Sequence, residues 1–363
     1  MPTAAIIGAG PAGSTAAIFL ARAGWNVSLI EQHHFPRDKV CGECLSALGI
    51  GVLRRLNVHD QIRSHDPVEL THASLHANSG ERVQIALNAP MWGISRRRLD
   101  AVLLDAARHA GTQVFQPARC ESIAHGVLSV RELSTNRPKT LHPDHVLLAD
   151  GKGALLPQRA KPTTDFGVKA HFTNVSLPKN AIALFGFRNH YGGVAPIEDA
   201  RWDLAFSAPA ALLSEHSGDL DRLFAAILRQ NVDVARAFAS SRRISDWLTS
   251  PLPRFRVAEK WPLRTIPLGN AAAALEPIGG EGIGLAMRSS ELAAESLIAD
   301  PSSAQRPALR RQFKELWQIR SPACRVAARM LSSPSLAGPT VQLLARNKTL
   351  TRWALQLMGK SKD

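Results

Sequence analysis

Apolar residues in this chain gather into short runs that stop at glycine. Residues 4–8 form one such run, residues 12–23 repeat small apolar side chains at helical spacing up to Gly24, and residues 25–31 alternate. That pattern predicts strand, turn, helix and strand at the start of the chain. Two alternating runs over 70–87, joined by Asn78, Ser79 and Gly80, predict a hairpin. Over 95–110, Leu99, Val102, Leu103 and Ala106 share one helix face, and 146–149 reads as a buried strand closed by Asp150 and Gly151. Several strand patterns follow over 166–208, punctuated by Gly192, Gly193 and Pro196, and 212–240 reads as helical. From Trp261 the order strand, glycine turn, helix returns, with that helix running to about Ala299. Short helices broken by Pro322, Pro334 and Pro339 close the chain, and no internal repeat is visible.

At 363 residues the chain exceeds the roughly 250–300 at which a single core stops growing, so two lobes are expected. Hydrophobic residues at 45% and charged residues at 20% match a chain that folds throughout. No run approaches the roughly 18 apolar residues of a membrane span, and residues 1–3 offer no basic start for a signal peptide. A cytoplasmic protein is expected. Cys41, Cys44, Cys120 and Cys324 are too scattered for a disulfide framework, so reduced thiols are expected.

The first glycine turn carries chemistry. Gly8-Ala9-Gly10-Pro11-Ala12-Gly13 fits GxGxxG between a strand and a helix. In that motif Gly8 makes the turn, Gly10 lets backbone approach a pyrophosphate, and Gly13 lets helix and strand pack closely. The anion rests on the free N–H groups of the helix start. Glu31, 18 residues beyond Gly13 at the end of the second strand, is placed to accept ribose hydroxyls and would repel a 2′-phosphate. These features together predict a dinucleotide site for NAD or FAD.

A second glycine cluster bears on that choice: Leu268-Gly269-Asn270-Ala271-Ala272, then Pro277-Ile278-Gly279-Gly280-Glu281-Gly282-Ile283-Gly284 leading into a helix. Such a loop admits backbone to a flat ring, and the helix start sets positive potential beside it, which suits the negative charge that a flavin gains on reduction. With the motif order GxGxxG, acid, Arg96-Arg97-Arg98-Leu99-Asp100, Asp150-Gly151 and this loop, over residues 3–300, the chain resembles the FAD-dependent aromatic hydroxylase (flavin monooxygenase) and geranylgeranyl reductase superfamily.

The resemblance implies an α/β (α+β) fold: a Rossmann-type FAD-binding domain (1–69, 88–162 and 261–300) carrying an inserted β-rich substrate domain (70–87 and 163–260), then a basic helical segment (301–363). It implies FAD held by Gly8, Gly10, Pro11, Ala12, Gly13, Glu31, Cys41, Gly42, Arg96, Asp150, Gly151, Asn270, Gly280, Gly282 and Ile283. Arg96 would reach the phosphate and ribityl region. Lys39-Val40-Cys41-Gly42-Glu43-Cys44-Leu45 resembles the Cys-Gly element that reductase-like members set near the ring. Asn270 stands where the family usually has Asp, and an amide oxygen still accepts a ribityl hydroxyl, without charge assistance. The Ser-x-x-Arg that follows Asp-Gly in many hydroxylases is absent, as is the Trp-x-Trp-x-Ile-Pro motif of halogenases. Candidate catalytic groups are Glu281, Tyr191 and Cys41, with His190 also placed near the ring or substrate; no metal site is expected, because Cys41 and Cys44 have no second cysteine pair.

Two activities follow from the resemblance: oxygenation of a hydrophobic, aromatic or polyketide-like compound, and reduction of an alkene in a prenyl-like lipid. NAD(P)H visiting the flavin, or a separate electron donor, is the expected reductant, since only one complete GxGxxG unit occurs. A flavin-binding regulator without turnover is the rival of another class, and it would need a signalling or nucleic-acid module that the chain does not display. From Gln305 onward twelve Lys or Arg face two acids. Leu350, Trp353, Ala354, Leu357 and Met358 recur there at helical spacing, which suits an anionic membrane surface, an acidic carrier protein, or plain docking on the core.

Overall fold

The computed structural model describes residues 1–151, 155, 165–253, 255, 257–258, 261–262, 264–303 and 307–359. Its first sheet has five parallel strands in the order Thr265–Pro267, His145–Leu148, Thr3–Ile7, Asn26–Ile30, Gln113–Phe115. Strand alternation splits its apolar residues between two covers. Ala4, Ile6, Val27, Leu29 and Leu147 face the helices Pro11–Arg22, Arg96–His109 and Gly282–Ala299. Ala5, Ile7, Ile30, Val146 and Leu148 face an antiparallel sheet of three strands, Ala118–Ala124, Val127–Glu132 and Pro138–Leu141. The hydrophobic pattern does not announce that small sheet: its outward positions are mostly polar, and Ala118, Cys120, Leu128 and Val130, with Ile123 and Leu141 half-buried beside them, turn inward.

The expected hairpin forms from Val68–His76 and Arg82–Gly93, with Gly80 at φ +100° in its turn. Its second strand runs past the edge expected at 87. Gly93 permits this, because a Cβ there would lie 2.0 Å from the Pro196 carbonyl oxygen. These strands join Asp165–Thr173, Ala181–Gly186, Tyr191–Ile197 and Arg201–Pro209 in a nine-stranded sheet.

One face of that sheet (Val168, Ala170, Phe172, Phe185, Val194, Trp202, Leu204, Phe206) is buried under a helical cover. The cover is three helices, Ala210–Glu215, Leu220–Gln230 and Val232–Phe238, where a single helical stretch was expected over 212–240. Gly218 at φ +75° ends the first, and Asn231 in extended conformation separates the other two while its side chain accepts from the N–H groups of Asp233 and Val234. The Asn231 amide also donates to the carbonyls of His76, Ala77 and Gly186, pinning the cover to the sheet.

The opposite face presents a different set. Gly167, Lys169 and His171 lie across from Ser207, Ala205 and Asp203, and Gly193 and Ala195 pair with the last two. This inner face looks toward the cofactor-binding side, since Val40 packs at Gly167 and Glu43 meets Lys169 and His171.

The C-terminal helices Pro307–Gln318, Arg320–Ser332, Pro334–Arg346 and Lys348–Leu357 are built into the molecule. Leu309, Phe313 and Trp317 join the main core; Cys324, Ala328 and Leu331 pack on Tyr191 and Ile278; Ala337 and Val341 pack on Ala77. Two of the expected breaks do not occur. Pro322 sits in the first turn, where its N–H would be unpaired anyway, and Pro339 lies inside its helix, whose neighbours Ala337 and Val341 are held by tertiary packing. Pro334 does open a new helix at its first position.

Candidate functional site

The first glycine turn closes by close packing. A Cβ at Gly8, whose φ is +99°, would lie 2.5 Å from the Ala149 carbonyl oxygen, and one at Gly13 would lie 1.8 Å from the Gly8 oxygen. Gly10 differs: the nearest atom to a Cβ there is Nη2 of Arg96 at 3.7 Å. Gly10 precedes the helix with Pro11 in the first turn and no side-chain cap, so the helix's leading N–H groups point into that space. Ala12 and Gly13 are buried in the same turn. Glu31 is buried beside it, its Oε2 accepting from Ala9 N at 2.9 Å and its Oε1 from His33 N at 2.8 Å.

Arg96 begins its helix behind Ser95, which caps it by accepting from Arg98 N. The guanidinium is buried and gripped in bidentate fashion by Asp100, at 2.8 and 2.7 Å. Burial opposes its charge, but Asp100 and Cys41 outweigh that and hold the pKa above the ordinary arginine value. Lys39 and Arg37 join it. Lys39 lies against Gly151, where a Cβ would sit 3.0 Å from Nζ, and burial, with Arg96 and Arg37 adding repulsion, lowers its pKa to about 8. Three cations against the carboxylates of Asp100 and Glu31 leave a net positive charge in the cleft, which suits an anion. The glycine motif signals this place; Lys39 opens the Cys-Gly element without being named as a cofactor contact, and Arg37 carries no motif.

Cys41, Gly42 and Glu43 follow. A Cβ at Gly42 would meet nothing within 4 Å. Cys41 lies toward the main core while Cys44 packs with Leu70, Met91 and Ala195, and both are thiols rather than a disulfide. Glu43, at φ +49°, anchors the segment: its Oε1 accepts from Arg96 N at 2.8 Å and meets Lys169 Nζ, and its Oε2 lies 2.7 Å from His171 Nε2. Burial alone would raise this carboxyl, but Lys169 and His171 bring it down to about 2. Asp203, 3.2 Å from Lys169 Nζ, is pushed up to about 7, by burial first and Glu43 next. Asp38, Glu43 and His171 bring ligand atoms within 4.8 Å of one another, with Lys169 meeting Glu43 and Arg97 3.6 Å from Asp38.

The second glycine cluster returns to the same turn. Gly269, at φ +53°, sits where a Cβ would lie 3.3 Å from that of Ala12, and Leu268 N donates to Leu148 O. Asn270 is exposed. Gly280 is left-handed at φ +62°, Glu281 is buried at the helix entrance, a Cβ at Gly282 would meet nothing within 4 Å, and Ile283 turns into the core. Asp150 closes the parallel strand, with its Oδ2 3.4 Å from Leu155 N.

Open space over Gly10, Gly42 and Gly282, between clamped neighbours, is the space a flat dinucleotide would take. The residues present therefore fit FAD. Gly10 and the helix start, with Arg96 and Lys39, would hold the pyrophosphate, Glu31 the ribose, and Gly42 and Gly282 would flank the ring.

Tyr191 lies at the other end of the inner face, its hydroxyl donating to Glu276 Oε1 at 2.8 Å. Burial first, and the Glu276 charge next, raises the tyrosine well above its ordinary value; burial also raises Glu276. Ile278, Cys324, Ala328 and Leu331 wall the pair with apolar surface. Glu276 was missed in the sequence, where its contact with a residue 85 positions earlier has no local signature. His190 faces elsewhere: its Nδ1 bonds the Arg188 carbonyl, its ring lies 5.0 Å from Phe187, and burial lowers its pKa.

Comparison with known proteins speaks to the family and the fold. Menaquinone reductase of Mycolicibacterium smegmatis is 23% identical over an alignment 390 positions long with its gaps, covering 98% of this chain and 90% of that protein. Kynurenine 3-monooxygenase of Stenotrophomonas maltophilia is 26% identical over 318, covering 77% and 68%. A solved geranylgeranyl bacteriochlorophyll reductase-like protein of Thermoplasma acidophilum superposes with a TM-score of 0.80 at 20% identity, over 98% of this chain and 95% of that one, which speaks to the fold alone. Residues 1–311 match the family described as FAD binding domain, and the chain belongs to that family as an FAD-dependent oxidoreductase.

Proposed function

We propose that this oxidoreductase reduces a carbon–carbon double bond in a hydrophobic, prenyl- or quinone-like compound, with Tyr191 supplying the proton and Glu276 positioning it. FAD, when bound, supplies the hydride equivalent. Saturating C=C adds one hydride and one proton, and in a site walled off from water the proton must come from the protein. The carrying observation is the Tyr191–Glu276 hydrogen bond, set on the inner sheet face beside the second glycine loop and under an apolar wall. A raised pKa keeps the Tyr191 hydroxyl protonated, and Glu276 accepts its hydrogen bond and holds it in place. The small residues Gly193, Ala195 and Ala205 leave the floor of that face low, which suits an elongated substrate. Likeness to menaquinone reductases along nearly the whole chain supports this reading.

Oxygenation of an aromatic or polyketide-like compound is the second reading, favoured by the kynurenine 3-monooxygenase relatives over about three quarters of the chain. Either activity needs a reductant, and we assign that part to NAD(P)H visiting the flavin or to a separate electron-donor protein.

The test is anaerobic. The photoreduced enzyme is mixed with a prenylated quinone in heavy water, and flavin absorbance and product mass are followed. Reoxidation without oxygen is expected, with solvent deuterium at both new C–H positions because the transferable hydrogen of reduced flavin exchanges with heavy water, and Tyr191→Phe should slow it by roughly 10²–10⁴ while FAD stays bound. No anaerobic reoxidation, together with oxygen-dependent turnover that places an oxygen atom in an aromatic compound, would overturn the first reading in favour of the second.

A further inference from the structure

The helix Arg320–Ser332 is apolar on two opposite sides. Cys324, Ala328 and Leu331 form the inner side that walls Tyr191. Val326 and Met330, in line with the preceding Ile319, form the outer side, and Ile319 is 59% and Val326 54% exposed. Spacings of seven and four residues put these three on one outward stripe. The next helix repeats the arrangement with Leu336 and Leu343, seven apart and both exposed, and Trp353 stands out from the last helix at 57% exposure. The stripe expected there from Leu350, Trp353, Ala354, Leu357 and Met358 is thus divided: Thr351 and Leu355 make the buried contacts and the tryptophan faces outward. Of the eleven exposed large hydrophobics among the described residues, six lie between 319 and 353.

Charge surrounds them. Described residues 307–359 contain nine Lys or Arg and one acid, Glu315. Arg325 and Arg329 flank the Val326–Met330 stripe, while Arg346 and Arg352 are exposed near Leu343 and Trp353. Separate aliphatic side chains on three packed helices, an outward tryptophan, and exposed cations between them are the features of a surface that rests on anionic headgroups and dips its apolar residues among the acyl chains. An acidic protein would satisfy the cations, but a spread of single aliphatic residues offers it no central anchor pocket. Among the described residues no helix is long and apolar enough to cross a membrane, so the contact is peripheral.

We infer that the outer face of residues 319–353 docks on an anionic lipid bilayer. The inner side of the same helix walls the Tyr191 site, so one helix diameter, about 10 Å, separates the bilayer from the substrate wall. The inference stands on exposure and charge and holds for either activity.

Vesicle sedimentation of the full FAD-loaded chain tests it without turnover. The chain should pellet with phosphatidylcholine–phosphatidylglycerol vesicles, weakly with phosphatidylcholine alone, and binding should fall with salt. Val326→Ser with Leu343→Ser and Trp353→Ser should reduce the partition coefficient by roughly tenfold or more, because exposed apolar side chains no longer enter the lipid. These residues lie on the surface, so bound flavin and melting temperature should stay at parental values. Arg346→Gln with Arg352→Gln should remove only part of the salt-sensitive component. A chain that stays in the supernatant with anionic vesicles at low salt, or a triple variant that pellets like the parent, overturns the inference. Binding of an acidic carrier protein through these residues, without vesicle binding, overturns it too and gives the face to a protein.

Discussion

Glu43 joins the cofactor-binding segment to the sheet, so Glu43→Gln should cost more than its single atom change suggests. The carboxylate is fully buried, accepts from Arg96 N at 2.8 Å, lies 2.7 Å from His171 Nε2, and meets Lys169 Nζ. An amide keeps the shape and removes the charge, leaving an ammonium that is 1% exposed without its nearest anion. Removing one partner of a buried pair costs about 3–5 kcal/mol. Asp203, 3.2 Å from the same ammonium, takes up part of the charge and should fall from its raised pKa of about 7, so the lower end, about 3 kcal/mol, is expected. Adding Lys169→Met removes the stranded cation, and the double variant should cost less than the sum of the singles by about 1–3 kcal/mol.

The pH dependence has a defined sign. Glu43 is depressed from 4.5 to about 2, so its contribution is present above the ordinary carboxylate range and lost as pH falls toward 2. The deficit of Glu43→Gln is therefore full at neutral pH and shrinks in acid. Asp203 is raised from 3.8 to about 7, so its contribution is present below the ordinary range and lost as pH rises through 7. Urea titrations of the FAD-saturated chain, followed by tryptophan fluorescence and circular dichroism at several pH values, measure both. A neutral-pH loss under about 1 kcal/mol, or strictly additive singles, would refute the coupling argued for this cluster.

The two motif glycines should separate folding from binding. Gly13→Ala places a Cβ 1.8 Å from the Gly8 oxygen, so the strand and helix must part and the yield of folded chain should collapse. Gly10→Ala places its Cβ in open space, 3.7 Å from Arg96, so thermal stability should hold while FAD affinity falls roughly tenfold or more, read by ultrafiltration of bound flavin. Lys39, with its pKa lowered to about 8, is charged below that pH and neutral above it. FAD affinity measured by calorimetry should then decline as pH rises beyond about 8, and Lys39→Met should flatten that decline; an unchanged slope in the variant would remove Lys39 from the anion site.

Local pattern and local chemistry determined the first strand–turn–helix–strand unit, because Gly8, Gly10 and Gly13 encode a turn that only their own backbone must make. They also determined the hairpin turn at Gly80, the helix entered at Arg96, and the glycine loop before Gly282–Ala299. What the sequence left open depends on which face meets which partner. Period-two alternation says that Lys169 and His171 lie on the side opposite Val168 and Ala170, but only the pairing with Arg201–Pro209 brings Asp203 beside His171, and only the fold brings Glu43 from 128 residues away. Tyr191 and Glu276 meet across 85 residues in the same manner. The break at Asn231 reads as ordinary helix pattern until its amide finds three carbonyls of the sheet, and Pro339 reads as a stop until packing carries its helix past it. Turns and helix starts are settled by bonds within a few residues, whereas a buried charge cluster, a tyrosine–carboxylate pair and an outward apolar stripe exist only once distant strands and helices have chosen their neighbours.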